Sequence, residues 1–416
     1  MTAHVISTYP TARTKPTCRG GSDAFVVAAS ALRRRRIRGW FPALAYPFYS
    51  LERPAMPIKP PLRPNSQLSA NRVRILDPKL FVPEESEVQK RLAASLLIRR
   101  NRESESPLES LNFHDRQRAA SHAKAWVQRK QQTARIDRIN DMQARKRISE
   151  LASGGAQLAG PTTETQIDEM MSAIHVAAPW LSEVTTFILR HLRDRLRSGQ
   201  SGLVLPPIIL VGSPGVSKSW LARELARLGG VPVRQIDVGG GTAGFRISGT
   251  EKGWGTACPG VPVETILATG TANPFLIVDE IDKSGRMFGA SGNSSTLSTS
   301  LLQVLERGTA AAFECPCYRV SFDLSYVSWI LTANTLETIS EPLLDRARVF
   351  HIPDLTLDDI LYHFNRMTAN HSDPELVDLV RKAVLVRWKT KGKLGLRRLN
   401  RMIELLQADR DVLLLN

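Results

Sequence analysis

The segment GSPGVSKS at positions 212–219 contains nearly all the residues of a phosphate-binding loop. The pattern G-x-x-x-x-G-K-S/T supplies inward-pointing backbone N–H groups, a lysine for the β- and γ-phosphates and a hydroxyl for Mg²⁺. Lys218 and Ser219 satisfy its last two positions, but Ser217 stands where the pattern has glycine. Taken by itself, the loop fits a nucleotide site and a chance match equally well.

The surroundings of this loop favour a nucleotide site. An apolar run at 203–211 precedes it, and a helical pattern runs from Lys218 to about Leu228. The N-terminus of a helix adds partial positive charge beside bound phosphates. We therefore predict a Walker A loop with Ser219 on Mg²⁺ and nucleotide contacts from Gly212, Ser213, Pro214, Gly215, Val216, Ser217, Lys218, Ser219 and Trp220.

A second segment with chemical potential is FLIVDE at 275–280. Its apolar residues predict a buried strand, which ends in two carboxylates only where they face something positive. Asp279 would complete the Mg²⁺ shell as a Walker B residue, and Glu280 would polarise the attacking water. The two segments together are far more specific than either alone. Asp282, just beyond them, is interpreted as a helix cap or a surface residue.

The elements around these segments alternate between strands and helices. A helix at about 166–198 comes first, and the later strand-like runs and helical stretches are 231–238, 261–269, 275–280, 297–307, 327–333, 340–346 and 349–352. Such alternation predicts an α/β fold, a parallel sheet with helices on both faces. Only helical patterns follow. We expect a nucleotide-binding α/β domain at 163–355 and a small all-helical lid domain at 356–416.

Four segments resemble those of a known family. GSPGVSKSWLARELA, NPFLIVDEIDK, LTAN and EPLLDRARVF occur in the order and spacing of AAA+ ATPases, and they are most similar to the ATPase module of Lon proteases. The resemblance covers about residues 165–410. It implies an AAA+ P-loop NTPase fold, ATP and Mg²⁺ as cofactors, and a homo-oligomeric ring such as a hexamer.

The resemblance also implies roles for four polar residues. Asn334, at the end of LTAN, matches the sensor-1 residue that positions the attacking water. Arg346 in LLDR matches the arginine finger that reaches a neighbouring subunit's nucleotide, and Arg348 is a weaker candidate. Arg397 in GLRRLNRMI matches sensor 2, which follows the γ-phosphate. Such groups act where charge builds up in phosphoryl transfer; singly, each arginine is also explained as a surface residue.

The segment ISGTEKGWGTACPG at 247–260 matches the loop that carries an aromatic residue into the central pore of Lon-like rings. There the aromatic ring grips an unfolded polypeptide. Trp254 lies between two glycines, which suits a mobile, exposed loop better than a packed core. Trp254 is therefore the candidate pore residue, with plain packing as the alternative.

Two departures from the family limit what the resemblance implies. No Ser/Lys peptidase pair can be placed in the sequence, so we expect an ATPase that is not a peptidase. The other departure is Ser217. If this position requires a positive φ, the side chain costs roughly 1–2 kcal/mol, which corresponds to about a tenfold loss of nucleotide affinity.

The region before the α/β domain is strongly basic. The net charge is +16 and the pI is about 10.1, and most of the excess lies in 1–55 and 111–150, which favours an anionic partner. Residues 1–55 are interpreted as a disordered basic leader, a targeting peptide, or sequence upstream of a true start at Met56. Residues 56–83 carry many prolines and predict an extended linker.

Residues 84–162 are rich in helix formers and predict a basic helical arm. We expect helices at about 84–102 and 113–152. The second helix has only a thin apolar stripe, formed by Ala123, Val127, Ile136, Ile139, Met142 and Ile148. It is interpreted as a solvated basic helix, a docking or self-association surface, or a contact for nucleic acid.

The cysteines and the apolar runs set broader limits. Four cysteines do not make a disulfide framework, and Cys315 and Cys317 read as buried or half-buried thiols rather than metal ligands. No apolar run reaches the ~18 residues that a membrane helix requires. We expect a soluble cytoplasmic protein without a membrane partner.

Three functions remain open at this point. The first is a Lon-like, non-proteolytic ATP-hydrolysing motor that remodels or unfolds a protein partner, with Trp254 as its grip. The second is a nucleic-acid-associated ATPase that uses the basic arm. The third is a nucleotide switch or scaffold that does not hydrolyse ATP because Ser217 weakens the loop.

Overall fold

The computed structural model describes residue 68 and residues 71–104, 106, 108–238, 243–251, 257–283 and 295–414, of which 295–296 and 406–414 are described as backbone alone. The chain divides into two units, Met1–Met56 and Pro57–Asn416, and every described residue belongs to the second. The expectations for residues 1–55 and for the pore residue Trp254 concern residues outside this description.

A parallel sheet lies at the centre of the fold. The strands in chain order are β1 (Arg72–Val73), β2 (Ala156–Gln157), β3 (Ile208–Val211), β4 (Val233–Asp237), β5 (Phe275–Asp279), β6 (Phe313–Cys315), β7 (Val320–Phe322), β8 (Ser328–Ala333) and β9 (Arg348–His351). Five of them form the sheet in the order β4-β5-β8-β3-β9, all parallel. The predicted α/β fold is confirmed, and the carboxyl ends of β3, β5 and β8 lie at one edge.

Helices cover both faces of this sheet, and further helices precede and follow it along the chain. In chain order they are α1 (Glu85–Glu103), α2 (Phe113–Ala134), α3 (Met142–Gly154), α4 (Glu164–Ala177), α5 (Ser182–Arg197), α6 (Lys218–Leu228), α7 (Ala243–Ser248), α8 (Val261–Thr269), α9 (Ser295–Leu305), α10 (Arg307–Ala310), α11 (Glu341–Arg346), α12 (Leu357–Thr368), α13 (Pro374–Lys391) and α14 (Leu396–Leu414). Helices α12 to α14 make up a helical C-terminal region, as the sequence predicts, which is called the lid below. None of the described helices has the length and apolarity needed to cross a membrane.

Strand alternation divides the buried side chains into two cores. Successive residues of a strand point to opposite faces of the sheet. Ile208 and Leu210 therefore pack in one core with α4, α5, α6 and the lid, whereas Ile209 and Val211 pack in the other. Because both faces are covered, all four residues of β3 are buried and the strand is apolar throughout.

The predicted helix at 113–152 is wrong as a single element. The chain breaks it at Arg135, which has a φ of 57° and ends α2. Asp141 then caps the start of α3, because its carboxylate accepts hydrogen bonds from the backbone N–H groups of Gln143 and Ala144. A favourable N-cap outweighs the helix-forming composition of the residues before it.

The apolar stripe of this region is covered by the chain itself. Ala123, Val127 and Ile148 are each at most 7% exposed and belong to the same core as Leu276. The interpretation of a solvated helix is therefore wrong, and the stripe is not an open docking seam. Met142 is the exception, at 79% exposed.

Two other expected elements also differ from the structure. The described end of the predicted linker at 56–83 is packed rather than free, since Ile75 and Leu76 are buried and Ile75 O accepts a hydrogen bond from Asp323 N at 2.8 Å. The predicted helix at 166–198 is divided into α4 and α5. Pro179 starts a short 3₁₀ turn between them, because proline lacks the N–H that a continuing helix requires.

A buried hydroxyl fastens α3 to the segment before α1. Ser149 Oγ donates to Val82 O at 2.7 Å and accepts from Val82 N at 2.8 Å. Ser149→Ala leaves both backbone groups without a partner, so we expect it to lower the free energy of unfolding by about 2 kcal/mol in a urea titration. The control Ser121→Ala removes an exposed hydroxyl and should change stability by less than about 0.5 kcal/mol. Equal losses in the two variants would contradict this account.

Candidate nucleotide site

The loop at 212–217 leaves β3 at the sheet edge and is held tightly by its neighbours. Gly212 N donates to Ala333 O at 3.2 Å, which places the loop beside the end of β8. A Cβ at Gly212 would lie 2.6 Å from Ile352 O, so only glycine fits there. Val216 is buried and anchors the far side of the loop. The shape of the loop is therefore set by contacts within the protein.

Ser217 adopts the left-handed conformation that the glycine of the pattern would supply. Its φ is 76° and its ψ is 19°. The expected positive φ is therefore present, together with its cost of roughly 1–2 kcal/mol. Because contacts within the protein hold the loop in this conformation, the strain reduces folding stability rather than nucleotide affinity. The expected tenfold loss of affinity from strain does not follow from this geometry.

This distinction can be tested with Ser217→Gly. We expect the variant to gain up to about 1 kcal/mol in the free energy of unfolding, since relief of strain exceeds the added freedom of the unfolded chain. Its dissociation constant for ATP should stay within about threefold of the parent value. Ser213→Gly is the control, because Ser213 has no positive φ to relieve and the change should be neutral or destabilising. A large gain in affinity without a gain in stability would show that the Ser217 side chain crowds the phosphates instead.

Lys218 lies at the start of α6, 8% exposed. Its Nζ donates to Gly212 O at 2.5 Å, Ser213 O at 3.1 Å and Asn334 Oδ1 at 3.2 Å. Burial lowers the pKa of this ammonium, and the nearby carboxylates, Asp279 first among them, oppose that shift. Lys218 Nζ therefore lies inside the loop and is bonded to backbone carbonyl oxygens. Phosphate oxygens would replace these partners when a nucleotide binds.

Ser219 and Asp279 meet as the sequence predicts. Ser219 Oγ donates to Asp279 Oδ1 at 2.8 Å, and the hydroxyl of Thr332 donates to the same carboxylate oxygen. This set consists of hard oxygen donors, the chemistry that Mg²⁺ prefers. The residues present therefore fit a magnesium ion held by Ser219 and Asp279.

Two residues of this cluster were missed from the sequence. Thr332 is 1% exposed and lies on β8, two positions before Asn334, which directly follows the strand. The available signal was a hydroxyl near the carboxyl end of a strand that Asn334 follows. Gln235 on β4 donates to Asp279 Oδ2 at 3.2 Å and to Asp237 Oδ1 at 3.0 Å. Its place beside Asp279 follows from the pairing of β4 with β5, which local patterns do not reveal.

Glu280 stands directly after β5 with a φ of 59°. Its backbone N–H donates to Thr332 Oγ1 at 3.1 Å, and its carboxylate accepts from Lys283 Nζ at 2.5 Å. A left-handed conformation is uncommon outside glycine and asparagine and concentrates at functional sites. Here it turns the chain at the sheet edge, so that Asp279 and Glu280 both line the same cavity.

The interpretation of Asp282 as a cap or surface residue is wrong. Asp282 is 5% exposed, and its Oδ2 accepts a long hydrogen bond of 3.4 Å from Asn334 Nδ2. Its Oδ1 has no hydrogen-bond partner among the described residues. Asn334 thus lies between Asp282 and Lys218, and these two contacts orient its amide at the sheet edge.

A cavity of about 510 Å³ connects these residues to the lid. Arg397 on α14 and Asn400 line it from the lid side, and Trp220 lines it from α6. The lid touches the loop directly, since Leu396 N donates to Gly215 O at 3.0 Å. Gly212, Ser213 and Val216 shape the loop without lining the cavity.

Neither Arg346 nor Arg348 lines this cavity. Arg346 Nη2 lies 3.0 Å from Glu306 Oε2, and its Nη1 donates to Pro342 O at 3.0 Å. The guanidinium of Arg348 lies 5.8 Å from the ring centre of Phe187. An arginine finger at Arg346 would therefore have to act on another subunit's cavity.

None of the three cysteines that the structure describes lines this cavity. Cys315 is buried on β6, Cys317 is half-buried and Cys258 is exposed. Burial raises the pKa of the Cys315 thiol to about 11. The expected buried and half-buried thiols at Cys315 and Cys317 are confirmed. In the described ranges, no group of three or more His, Cys, Asp or Glu side chains is arranged to hold a metal ion.

Comparisons with known proteins agree with this geometry. The family model "ATPase family associated with various cellular activities (AAA)" matches residues 208–354. A Lon protease of Nitrosococcus oceani is 31% identical over 235 residues, 54% of this chain and 29% of that protein. Lon protease homolog 1, mitochondrial, of Arabidopsis thaliana is 35% identical over 180 residues, 43% of this chain and 18% of that protein.

Among solved structures, one described as "Closed State CryoEM Reconstruction of Hsp104:ATPyS and FITC casein" aligns with a TM-score of 0.46 at 15% identity, over 77% of this chain and 63% of that chain. Nothing further follows from a likeness of that degree. The chain spans less than a third of the length of the Lon relatives. Residues 208–354, which contain the phosphate loop, Asp279, Glu280 and Asn334, match the AAA ATPase family model, and the chain is similar to part of the Lon proteases.

Proposed function

We propose that this chain binds and hydrolyses Mg²⁺-ATP and uses the cycle to remodel or unfold a protein partner, without peptidase activity of its own. The observation that carries the proposal is that Lys218, Ser219 and Asp279 line one cavity at the carboxyl edge of the sheet, where Ser219 Oγ lies 2.8 Å from Asp279 Oδ1 and Lys218 Nζ lies 3.2 Å from Asn334 Oδ1. Glu280 lines the same cavity and carries a carboxylate for an attacking water.

Each residue has a distinct task in phosphoryl transfer. Lys218 exchanges its loop carbonyls for phosphate oxygens and neutralises their charge. Ser219 and Asp279 hold Mg²⁺, which when bound offsets negative charge on the phosphates. Glu280 accepts a proton from the attacking water, and Asn334 orients that water. Arg397 reaches the cavity from the lid, so its position depends on lid closure.

The partners are part of the same proposal. Arg346 lies outside the cavity of its own chain, which supports a homo-oligomeric ring in which it completes a neighbour's site. A pore residue at Trp254 would then grip a protein substrate. The similarity to proteins named Lon protease supports a protein substrate, and we propose a cytoplasmic location for the assembly.

The experiment is steady-state Mg²⁺-ATP hydrolysis by the full chain beside Lys218→Ala. We expect the variant to lose at least about tenfold in ATP affinity, since charged hydrogen bonds to phosphate contribute about 1.5–3 kcal/mol, and to lose measurable hydrolysis. Lys146→Ala, which removes an exposed lysine paired with Glu84, is the control and should match the parent. Equal binding by parent and Lys218→Ala would refute the nucleotide site.

The same assay separates the competing functions. Stimulation by fluorescein-labelled casein, without release of acid-soluble fragments, supports a non-proteolytic motor acting on proteins. Stimulation by duplex DNA that disappears steeply with salt supports a nucleic-acid-linked ATPase instead. ATP binding with no hydrolysis under any condition supports a switch or scaffold.

A further inference from the structure

The hydroxyl of Thr332 is hydrogen-bonded to two neighbouring residues of the nucleotide site at once. It donates its hydrogen to Asp279 Oδ1 and accepts the backbone N–H of Glu280 at 3.1 Å. A hydroxyl has one hydrogen to donate and lone pairs that accept, so one group serves both partners. Thr332 is 1% exposed and lines the cavity that contains Lys218. A single buried side chain therefore connects the two acidic residues at the end of β5.

The register of the sheet explains why this hydroxyl reaches both residues. The pairing of β5 with β8 ends with Val278 opposite Leu331, so Asp279 and Thr332 are the next residues along the two parallel strands. The chain turns at Glu280, and the Thr332 side chain accepts the N–H of that residue. The hydroxyl thus extends the contact between the strands past their last paired residues.

The bond to Glu280 holds an uncommon backbone conformation. Glu280 has a φ of 59°, in the left-handed region that residues other than glycine and asparagine seldom adopt. Successive side chains of a continuing strand point to opposite faces, so a straight β5 would direct Asp279 and Glu280 away from each other. Both residues instead line the same cavity. The Thr332 hydroxyl therefore helps to hold the turn that brings both residues to the cavity.

The other groups that donate to Asp279 differ from Thr332 in their surroundings. Ser219 Oγ donates to the same oxygen at 2.8 Å, but Ser219 is itself a proposed ligand of Mg²⁺. Gln235 Nε2 donates to Asp279 Oδ2 at 3.2 Å from an exposed position on β4. Of these three donors, Thr332 is the one that is buried and has no proposed contact with the metal. It is therefore suited to hold the carboxylate in place whether or not the metal is bound.

We propose that Thr332 is a positioning residue that places the metal ligand Asp279 and the general base Glu280 together through its one hydroxyl. It acts through these two residues and not on the nucleotide. Removing the hydroxyl leaves the Asp279 carboxylate with fewer bonds and the Glu280 N–H without this partner. We expect the affinity for Mg²⁺ and the rate of hydrolysis to fall together, while Lys218 keeps its contacts with phosphate. The inference rests on the proposed function and names a further residue on which both properties depend.

The first measurement is binding of the β,γ-imido analogue of ATP, which is not hydrolysed, to the full chain by isothermal calorimetry with Mg²⁺ and with EDTA. In the parent, Mg²⁺ should increase the affinity. We expect Thr332→Val, which keeps the shape but lacks the hydroxyl, to lose about tenfold of this increase, the value of one charged hydrogen bond. Its affinity in EDTA should stay within about threefold of the parent value. Thr332→Ser retains the hydroxyl and should keep the parent values.

The second measurement is kcat at Mg²⁺ and ATP concentrations that saturate each variant. We expect Thr332→Val to lower kcat about tenfold or more, because Glu280 is no longer held in place. The same substitution in a Glu280→Gln chain should change kcat by less than about threefold, since there is no base left to misplace. A substitution that only loosened the fold would lower kcat by the same factor in both chains.

Thr265→Val is the control variant. It removes another buried hydroxyl, which donates to Val261 O at 2.6 Å within α8 and does not line the cavity. This variant should match the parent in both measurements. If Thr332→Val does not fold, Thr332→Cys carries the test, because a thiol is only a weak donor and acceptor. It should then fall below Thr332→Ser in both measurements.

A Thr332→Val chain that keeps the full effect of Mg²⁺ or the parent kcat overturns the positioning role and leaves the proposed function standing. So does a Thr332→Ser chain that loses as much as Thr332→Val, since the methyl group would then be responsible. Equal losses of kcat in the parent and Glu280→Gln chains also contradict the role. A parent that binds the analogue neither with Mg²⁺ nor with EDTA overturns both proposals.

Discussion

Replacing Glu280 by glutamine is expected to lower ATP hydrolysis by about 10²–10⁴-fold, the usual contribution of a general base. The amide keeps the size and the hydrogen-bonding capacity of the side chain but cannot accept the proton of the attacking water. ATP affinity should stay within about threefold of the parent, because the Lys218 and Asp279 contacts are untouched. Quenched-flow measurement of hydrolysis, beside a binding titration, checks both parts.

The structure also indicates what must happen to Glu280 before it acts. Its carboxylate is paired with Lys283 at 2.5 Å, and both side chains are about half exposed. An exposed pair of this kind contributes only about 0–1 kcal/mol, so it is easily exchanged for a water molecule. The ion pair therefore does not hold the base permanently away from the nucleotide.

A matched substitution elsewhere controls for the change of charge. Glu337 lies in the exposed loop after β8 and does not line the cavity, so Glu337→Gln should hydrolyse ATP at the parent rate. If Glu280→Gln and the parent hydrolyse ATP equally fast, Glu280 is not the base. If neither hydrolyses ATP, the interpretation as a switch or scaffold gains support.

Replacing Arg346 by alanine is expected to lower hydrolysis by on the order of 10³-fold, the lower end of what an arginine finger contributes. The reason is geometric: Arg346 lies outside its own cavity, so an arginine finger at this position would have to act on a nucleotide bound by another subunit. A mixture of two variant subunits tests whether Arg346 acts on a neighbouring subunit. Arg346→Ala subunits lack the finger and Glu280→Gln subunits lack the base, so an equimolar mixture should recover part of the activity at interfaces that combine the two intact groups.

Two control variants separate catalysis from stability. Glu306→Gln weakens the ion pair that holds Arg346 but keeps the guanidinium, and it should retain most of the hydrolysis. Arg348→Ala removes the neighbouring arginine, which contacts Phe187, and it should retain hydrolysis as well. No recovery of activity in the mixed sample, despite assembly of a ring, would refute action between subunits.

The phosphate loop shows how much of the candidate site can be predicted from local sequence patterns. Lys218 and Ser219 were predicted from the phosphate-loop pattern and Asp279 from the end of an apolar strand; parallel strands bring such strand ends to one edge of the sheet. The structure places Ser219 Oγ 2.8 Å from Asp279 Oδ1, and Lys218 lines the same cavity. Helix α8 begins at Val261 and ends at Thr269, as the sequence predicts. A proline lies in its first turn and Gly270 caps its end.

The errors share a physical cause. The helix at 113–152 was predicted from composition, but Arg135 and the cap at Asp141 divide it. Its apolar stripe was interpreted as solvated because the partner surface is remote in sequence. Asp282 was misplaced for the same reason, since Asn334, the residue beside it, lies 52 positions away. Contacts between distant segments leave little trace in a local pattern.

The sequence by itself determined which groups are candidates for binding phosphate and in what order they occur, because loop, strand and helix signals are local. It also determined the α/β class, since the alternation of apolar runs and helices admits few other arrangements. The tertiary structure alone decided that Thr332 and Gln235 hold Asp279 and that contacts around the loop hold the positive φ of Ser217. These facts depend on strand register and backbone angles, which are set by packing between segments far apart in the chain.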